Sequence, residues 1–108
     1  GAAHMRDIGY HFPDTASEFE GVDSKILLRK TVELVRNAGY EIGNVDATVC
    51  AQRPKLSPYI EQMQAKLAEV MDTDIENVSV KATTTERLGF VGREEGMAAQ
   101  AVALLEKI

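Results

Sequence analysis

The sequence predicts one domain in which helices cover one face of a β-sheet, a sandwich of the α+β or α/β kind, because two stretches with helical apolar spacing alternate with two stretches of period-two alternation. The length agrees: 108 residues suit a single domain, and 44% hydrophobic with 27% charged residues is globular usage, not that of a disordered tail. A chain of this size buries somewhat over ~60% of its unfolded surface, a modest core that oligomerisation would extend.

Taken in order, Tyr10 to Val22 holds Pro13, Gly21 and polar residues without periodicity and reads as a loop, the kind of segment that often carries ligand contacts. Asp23 or Ser24 then caps a helix on which Leu27, Leu28, Thr31, Leu34, Val35 and Ala38 recur at helical spacing until Gly39 offers a left-handed stop. Lys25, Arg29, Lys30, Glu33 and Arg36 fall mainly on its solvated side. Val45 to Ala51 alternates, which puts Val45, Ala47, Val49 and Ala51 on one side of a strand. Ser57 is expected to cap a second helix with Pro58 at its first position, and Ile60, Met63, Leu67, Val70 and Met71 form the apolar stripe. Val78 to Ala82 alternates again. From Gly96 to Ile108 local rules do not decide, since alanine, leucine, methionine, glutamate and lysine all favour helix and propensity is a weak guide.

A net charge of −5 and a pI near 5.0 argue against a nucleic-acid surface, which needs a basic stripe, so any nucleotide should be a small one in a local pocket. No apolar run is long enough to span a bilayer, and the first residues lack the basic start and hydrophobic centre of a secretory signal. Cys50 has no intramolecular partner and lies in an apolar run, where a buried free thiol suits a reducing compartment. The chain therefore reads as soluble and cytoplasmic, without membrane or nucleic-acid partners.

Chemistry concentrates in Lys81-Ala82-Thr83-Thr84-Thr85-Glu86-Arg87-Leu88-Gly89-Phe90-Val91-Gly92-Arg93. Threonines at a strand end can turn hydroxyls and backbone N–H groups toward one anion, while a neighbouring glutamate can hold a hard cation against the same phosphates. A polar turn that merely closes a strand is the plainer reading of Thr-Thr-Thr-Glu alone.

Together with Asp7-Ile8-Gly9, Phe12-Pro13-Asp14-Thr15, Asn44-Val45-Asp46 and Ala51-Gln52-Arg53-Pro54-Lys55, in this order and spacing, that string resembles the 2-C-methyl-D-erythritol 2,4-cyclodiphosphate synthase family over essentially the whole chain. The resemblance implies an α+β fold with a mixed sheet and helices on one face, a strand from Gly96 to Ile108, and a homotrimer with sites between subunits. It implies cyclisation of a cytidine-diphosphate-linked methylerythritol 2-phosphate with release of cytidine monophosphate, in non-mevalonate isoprenoid precursor synthesis. Ala51, Gln52, Arg53, Pro54, Lys55, Leu56 and Ser57 would form the cytosine pocket through their backbone, Ala82 and Thr83 would flank the nucleoside, Thr83 and Thr84 would donate to the diphosphate, and Thr85 would be a further substrate-binding residue. Thr84 would steady charge on the passing phosphoryl group, and Glu86 would hold magnesium or manganese. Asp7, Ile8, Gly9, Phe12 and Asp14 would hold the methylerythritol phosphate, with Phe90 and Arg93 nearby. The duller readings stay open: Phe12 and Phe90 as core aromatics, Asp7 and Asp14 as caps, Arg93 as a surface charge.

The family also uses zinc, bound by an Asp-x-His pair near its start and a further histidine. His4 and His11 do not match those positions, so no zinc ligands are assigned in this chain. Gly1 to Arg6 looks like the end of the family helix that leads into Asp7-Ile8-Gly9, or an expression-vector scar; on the first reading an upstream third carrying the zinc motif is expected, and the 108 residues alone would be a catalytically incompetent nucleotide-binding or assembly piece. Ala16, Ser57 and Val91 depart from the family pattern, the first at a substrate contact, the second in a loop that works through its backbone, and the third in packing.

Overall fold

The computed structural model describes residues 1–13 and 23–108. A single helical turn, α1 (Ile8–His11), is followed by α2 (Ser24–Asn37), β1 (Tyr40–Cys50), a 3-10 turn (Ser57–Tyr59), α3 (Ile60–Met71), a second 3-10 turn (Ile75–Asn77), β2 (Val78–Thr83), the short helix α4 (Gly89–Gly92) and β3 (Ala98–Lys107). The strands form one mixed sheet in the order β2-β1-β3, with β1 parallel to β2 and antiparallel to β3.

Local chemistry explains the helix ends. The Asp23 carboxylate accepts from the Lys25 N–H at 2.9 Å and starts α2, and Gly39 at φ +92° lets the chain turn directly into β1. The expected cap at Ser57 is corrected: Leu56 is already in a right-handed helical conformation, so the turn begins one residue earlier, and the Ser57 carbonyl accepts from the Ile60 N–H. Tyr10 and His11, expected in a loop, belong to α1, because the Asp7 carboxylate accepts from the Tyr10 N–H at 3.2 Å and caps the turn. Asp14, Ala16 and the rest of the expected loop to Val22 lie outside the described residues.

The core lies between the two longer helices and one sheet face. Val32 of α2, Ala68 and Met71 of α3, Ile42 of β1 and Val78 and Val80 of β2 form it, with Leu28, Val35, Val45, Ala47, Ile60, Met63, Leu67 and Leu105 packed around them. Register explains why one face is chosen: Val45 pairs with Val78 and Ala103, and Ala47 with Val80 and Ala101, so these side chains point the same way. Burying Val78 or Val80 contributes on the order of 1.5–3 kcal/mol each. The periodic stripes found α2 and α3 but missed Val32 and Ala68, two of their most buried positions.

β1 starts five residues before the expected Val45, and a register shift between Ile42 and Asn44 places an extra residue, Gly43, against β3. A Cβ there would meet the Leu104 carbonyl oxygen at 2.9 Å, so the close approach of the two backbones needs glycine. β3 is the strand expected from Gly96 to Ile108. Its outer face leaves Val102 73% and Leu104 57% exposed, opposite the helices.

Among the described residues, no helix is long and apolar enough to cross a membrane.

Candidate functional site

Parallel pairing of β1 with β2 makes both strands end at the same rim. The ladder runs from Val45 opposite Val78 to Cys50 opposite Thr83, and one further bond, from the Ala51 N–H to the Thr83 carbonyl at 3.0 Å, extends it past the strand end. Crevices beyond the carboxyl ends of parallel strands are where open sheets with helices hold ligands, because the loops diverge there. Here they enclose a cleft of about 800 Å³ lined by Ala51, Gln52, Arg53, Pro54, Lys55, Leu56 and Ser57 on one side and Ala82, Thr83 and Thr84 on the other. The two segments expected to grip a cytidine nucleotide therefore share one cavity. Ala51 is buried and anchors its side, and the Arg53–Pro54 peptide is cis.

The threonines divide their work. The Thr83 hydroxyl donates to the Thr84 carbonyl at 3.2 Å, while the Thr84 hydroxyl accepts from the Glu86 N–H at 3.3 Å. Thr85 is turned elsewhere: its hydroxyl donates to the Leu88 carbonyl at 2.6 Å and its own carbonyl accepts from the Leu88 N–H at 3.0 Å, and it does not line the cleft. Its hydroxyl and its carbonyl are thus both engaged in shaping the turn.

Beyond Thr85 the chain folds back as a compact knob. Glu86 and Arg87 both adopt positive φ, 53° and 65°, a left-handed conformation that residues with a Cβ adopt only when their surroundings hold them there. Gly92 packs so closely that a Cβ on it would lie 2.1 Å from the Arg87 carbonyl carbon. Val91 is buried, in keeping with a packing role at that departure from the family pattern. Two side chains tie the knob to the loop after β1: the Gln52 amide oxygen accepts from the Arg87 N–H at 3.2 Å, and the Arg53 guanidinium meets the Glu94 carboxylate at 3.1 Å. Sequence reasoning did not foresee these ties, since nothing in Glu86-Arg87 signals a left-handed pair and their partners are distant in the chain.

The other expected site residues stand apart from the cleft within one chain. Asp7, Ile8 and Phe12 border a different hollow, of about 630 Å³, between the first residues, α2 and β3, and Gly9 lies in the same turn. Phe90 is half-exposed with its ring near Gly96, and Arg93 pairs with Glu95 at 2.8 Å. The Asp7 carboxylate serves as the cap of α1 in this chain.

The donors present test two metals differently. Glu86, whose backbone N–H is held by the Thr84 hydroxyl, offers one exposed carboxylate, which fits magnesium, an ion that commonly takes one or two carboxylates and completes its shell with phosphate and water. Among the described residues no three of histidine, cysteine, aspartate and glutamate come together, and the His11 ring donates to the Met5 carbonyl, so this set does not fit zinc.

Comparison with known proteins places this geometry. A model of the YgbB family matches residues 1–106. The chain is 64% identical to a 2-C-methyl-D-erythritol 2,4-cyclodiphosphate synthase of Bacteroides thetaiotaomicron over 99% of its own length and 67% of that protein's, and 64% identical to one of Shouchella clausii over the same shares. Among solved structures, the bifunctional IspDF of Campylobacter jejuni superposes with a TM-score of 0.94 at 44% identity, covering 100% of this chain and 29% of that one. A Plasmodium falciparum IspF in complex with CDP superposes at 0.81 with 34% identity, over 94% of this chain and 60% of that one. A match over nearly the full sequence, with the strand-end cleft in place, means that this chain belongs to the YgbB family, whose matched relatives are 2-C-methyl-D-erythritol 2,4-cyclodiphosphate synthases.

Proposed function

We propose that the cleft between Pro54 and Thr83 holds the cytidine nucleotide of 4-diphosphocytidyl-2-C-methyl-D-erythritol 2-phosphate, and that the chain acts in its cyclisation, in the non-mevalonate route to isoprenoid precursors. The single observation that carries this is the shared cleft of Ala51–Ser57 and Ala82–Thr84. The relative in complex with CDP supports a nucleotide of this class.

In the reaction, an oxygen of the 2-phosphate attacks the β-phosphorus, the bond from that phosphorus to the bridging oxygen breaks, and cytidine monophosphate leaves. Such a transfer asks for alignment and charge stabilisation more than for covalent chemistry. Backbone groups of the Ala51–Ser57 loop would hold the cytosine, Ala82 and Thr83 the ribose side, and Thr84 would donate to the phosphoryl oxygens as charge redistributes. Glu86 would hold magnesium, which when bound neutralises charge on the α- and β-phosphates.

A homotrimer fits two features. Asp7, Ile8, Gly9 and Phe12 lie away from the cleft of their own chain, as expected if a neighbouring subunit completes each site, and Val102 and Leu104 present apolar surface on the open sheet face. A cytoplasmic setting suits the single free cysteine.

The test is incubation of the full-length protein with the cytidylylated substrate, magnesium and zinc, with chromatographic detection of cytidine monophosphate and cyclodiphosphate. Both products are expected in equal amounts. Nucleotide binding without turnover would keep the pocket assignment and discard the cyclisation, and neither binding nor turnover would discard both.

A further inference from the structure

We propose that Gln52 is a positioning residue: through the Arg87 backbone it couples the nucleotide loop to the turn that presents Glu86, so that a seated nucleotide and a magnesium-competent carboxylate are established together. This rests on the reading of the cleft above, and extends it to a side chain to which that reading gives only a backbone role.

The case begins with conformation. Glu86 and Arg87 are consecutive residues at positive φ, and neither is glycine. Such a pair relaxes unless neighbouring bonds specify it. Inside the segment, the Thr84 hydroxyl accepts from the Glu86 N–H and the Thr85 hydroxyl donates to the Leu88 carbonyl, which brackets the pair without engaging the peptide between them. That peptide's N–H, belonging to Arg87, is met by the Gln52 amide oxygen at 3.2 Å, from 35 positions earlier in the chain.

Gln52 is itself well placed to transmit position. It is half-buried and directly follows Ala51, whose N–H is fastened to Thr83. Its neighbour Arg53 reaches the far end of the same knob at Glu94, but the Arg53 side chain is 80% exposed, where an ion pair contributes little. Of the two, only the Gln52 bond engages the peptide between Glu86 and Arg87, so its neutral acceptor carries the coupling. Its length matters as well as its oxygen: glutamate retains both, whereas methionine retains the length and loses the acceptor.

The experiment measures CDP affinity by calorimetry with saturating magnesium and with chelator, and takes the ratio of the two. In the unaltered protein magnesium should tighten CDP. In Gln52→Met the ratio should shrink at least threefold, and Gln52→Glu should restore most of it. Amide hydrogen exchange provides a second readout, in which Arg87 should be protected in the unaltered protein and in Gln52→Glu, and exchange faster in Gln52→Met. An unchanged ratio in Gln52→Met, or equal weakening of CMP and CDP with the ratio intact, would make Gln52 a plain loop residue and overturn the proposal. Failure of the unaltered protein to bind CDP defeats the cleft reading itself and this inference with it, whereas CDP binding indifferent to magnesium defeats only the Glu86 assignment and the coupling built on it.

Discussion

The Ala51 N–H donates to the Thr83 carbonyl at 3.0 Å, one rung beyond the last pair of the parallel ladder between β1 and β2. This bond joins a loop that contains Pro54 to a corner that contains three threonines, and it makes a cleft out of two segments that are distant in the chain.

Thr84→Ala removes a preorganised donor at the rim and the acceptor of the Glu86 N–H. The cyclisation rate should fall ~10²–10³-fold, about 2.7–4 kcal/mol in the barrier, as for loss of one oxyanion donor. Single-turnover release of cytidine monophosphate measures it. A loss below ~1 kcal/mol would return Thr84 to a purely structural turn.

Glu86→Ala should raise the magnesium concentration needed for half-maximal turnover and leave affinity for cytidine monophosphate, which lacks the β-phosphate, little altered. Magnesium titration of initial rates alongside calorimetry separates the two. Unchanged turnover at limiting magnesium would show that another group holds the ion.

Gly92→Ala should destabilise the fold by ~1–3 kcal/mol through overpacking, because the new methyl would lie 2.1 Å from the Arg87 carbonyl carbon and push the knob open. Gly96→Ala is the control, since its Cβ would meet only the Phe90 ring at 3.5 Å, an ordinary contact. Urea melts of the two variants should differ clearly; equal midpoints would mean that the knob yields freely.

Arg36 fastens the frame. Its guanidinium donates to the Glu41 carboxylate at 2.8 Å and to the Met71 and Asp72 carbonyls at 2.9 Å, tying the end of α2 to the start of β1 and the end of α3. The hydrogen bond from Arg36 holds the Glu41 carboxyl below its ordinary pKa of 4.5, aided by the Ile42 N–H. A depressed carboxyl stabilises the fold above its unfolded pKa and loses that contribution as pH falls through the folded value. The stability difference between the unaltered protein and Glu41→Gln should hence be full and flat at neutral pH and shrink on acidification below about pH 4.5. Arg36→Met should remain destabilised at both extremes, because the carbonyls of Met71 and Asp72 do not titrate. Denaturant melts across pH 3–7, on the order of four units spanning the carboxylate range, would expose the opposite trend if the sign were wrong.

Val102→Asp should weaken self-association. Val102 pairs with Asp46 across the ladder on the open sheet face, so the new carboxylate would meet a like charge and be carried into any interface formed there. Sedimentation should show smaller species than the unaltered protein; an unchanged sedimentation profile would move the interface to another face.

What could be read from the residues was whatever their immediate neighbours decide. Asp23 capped α2 and Gly39 ended it as expected, since both act within a few residues, and the stripes of α2 and α3 and the alternation of β1 and β2 found their faces because period is a local property. Ser57 failed as a cap because Leu56 had already entered the turn, and β1 ran back to Tyr40 because β3 pairs with it there. β3 itself has the composition of a helix; family resemblance, not propensity, pointed to a strand.

By itself the sequence determined the helices, the strand cores and the motifs that name the family, all of them short-range or compositional facts. Only the tertiary structure decided that Ala51 would bond to Thr83, that Gln52 would reach Arg87, and that Asp7 and Phe12 would lie away from the cleft of their own chain. The physical reason is that a backbone donor takes whichever acceptor the packed sheet brings to it, and that choice depends on register between distant segments, which no local pattern encodes.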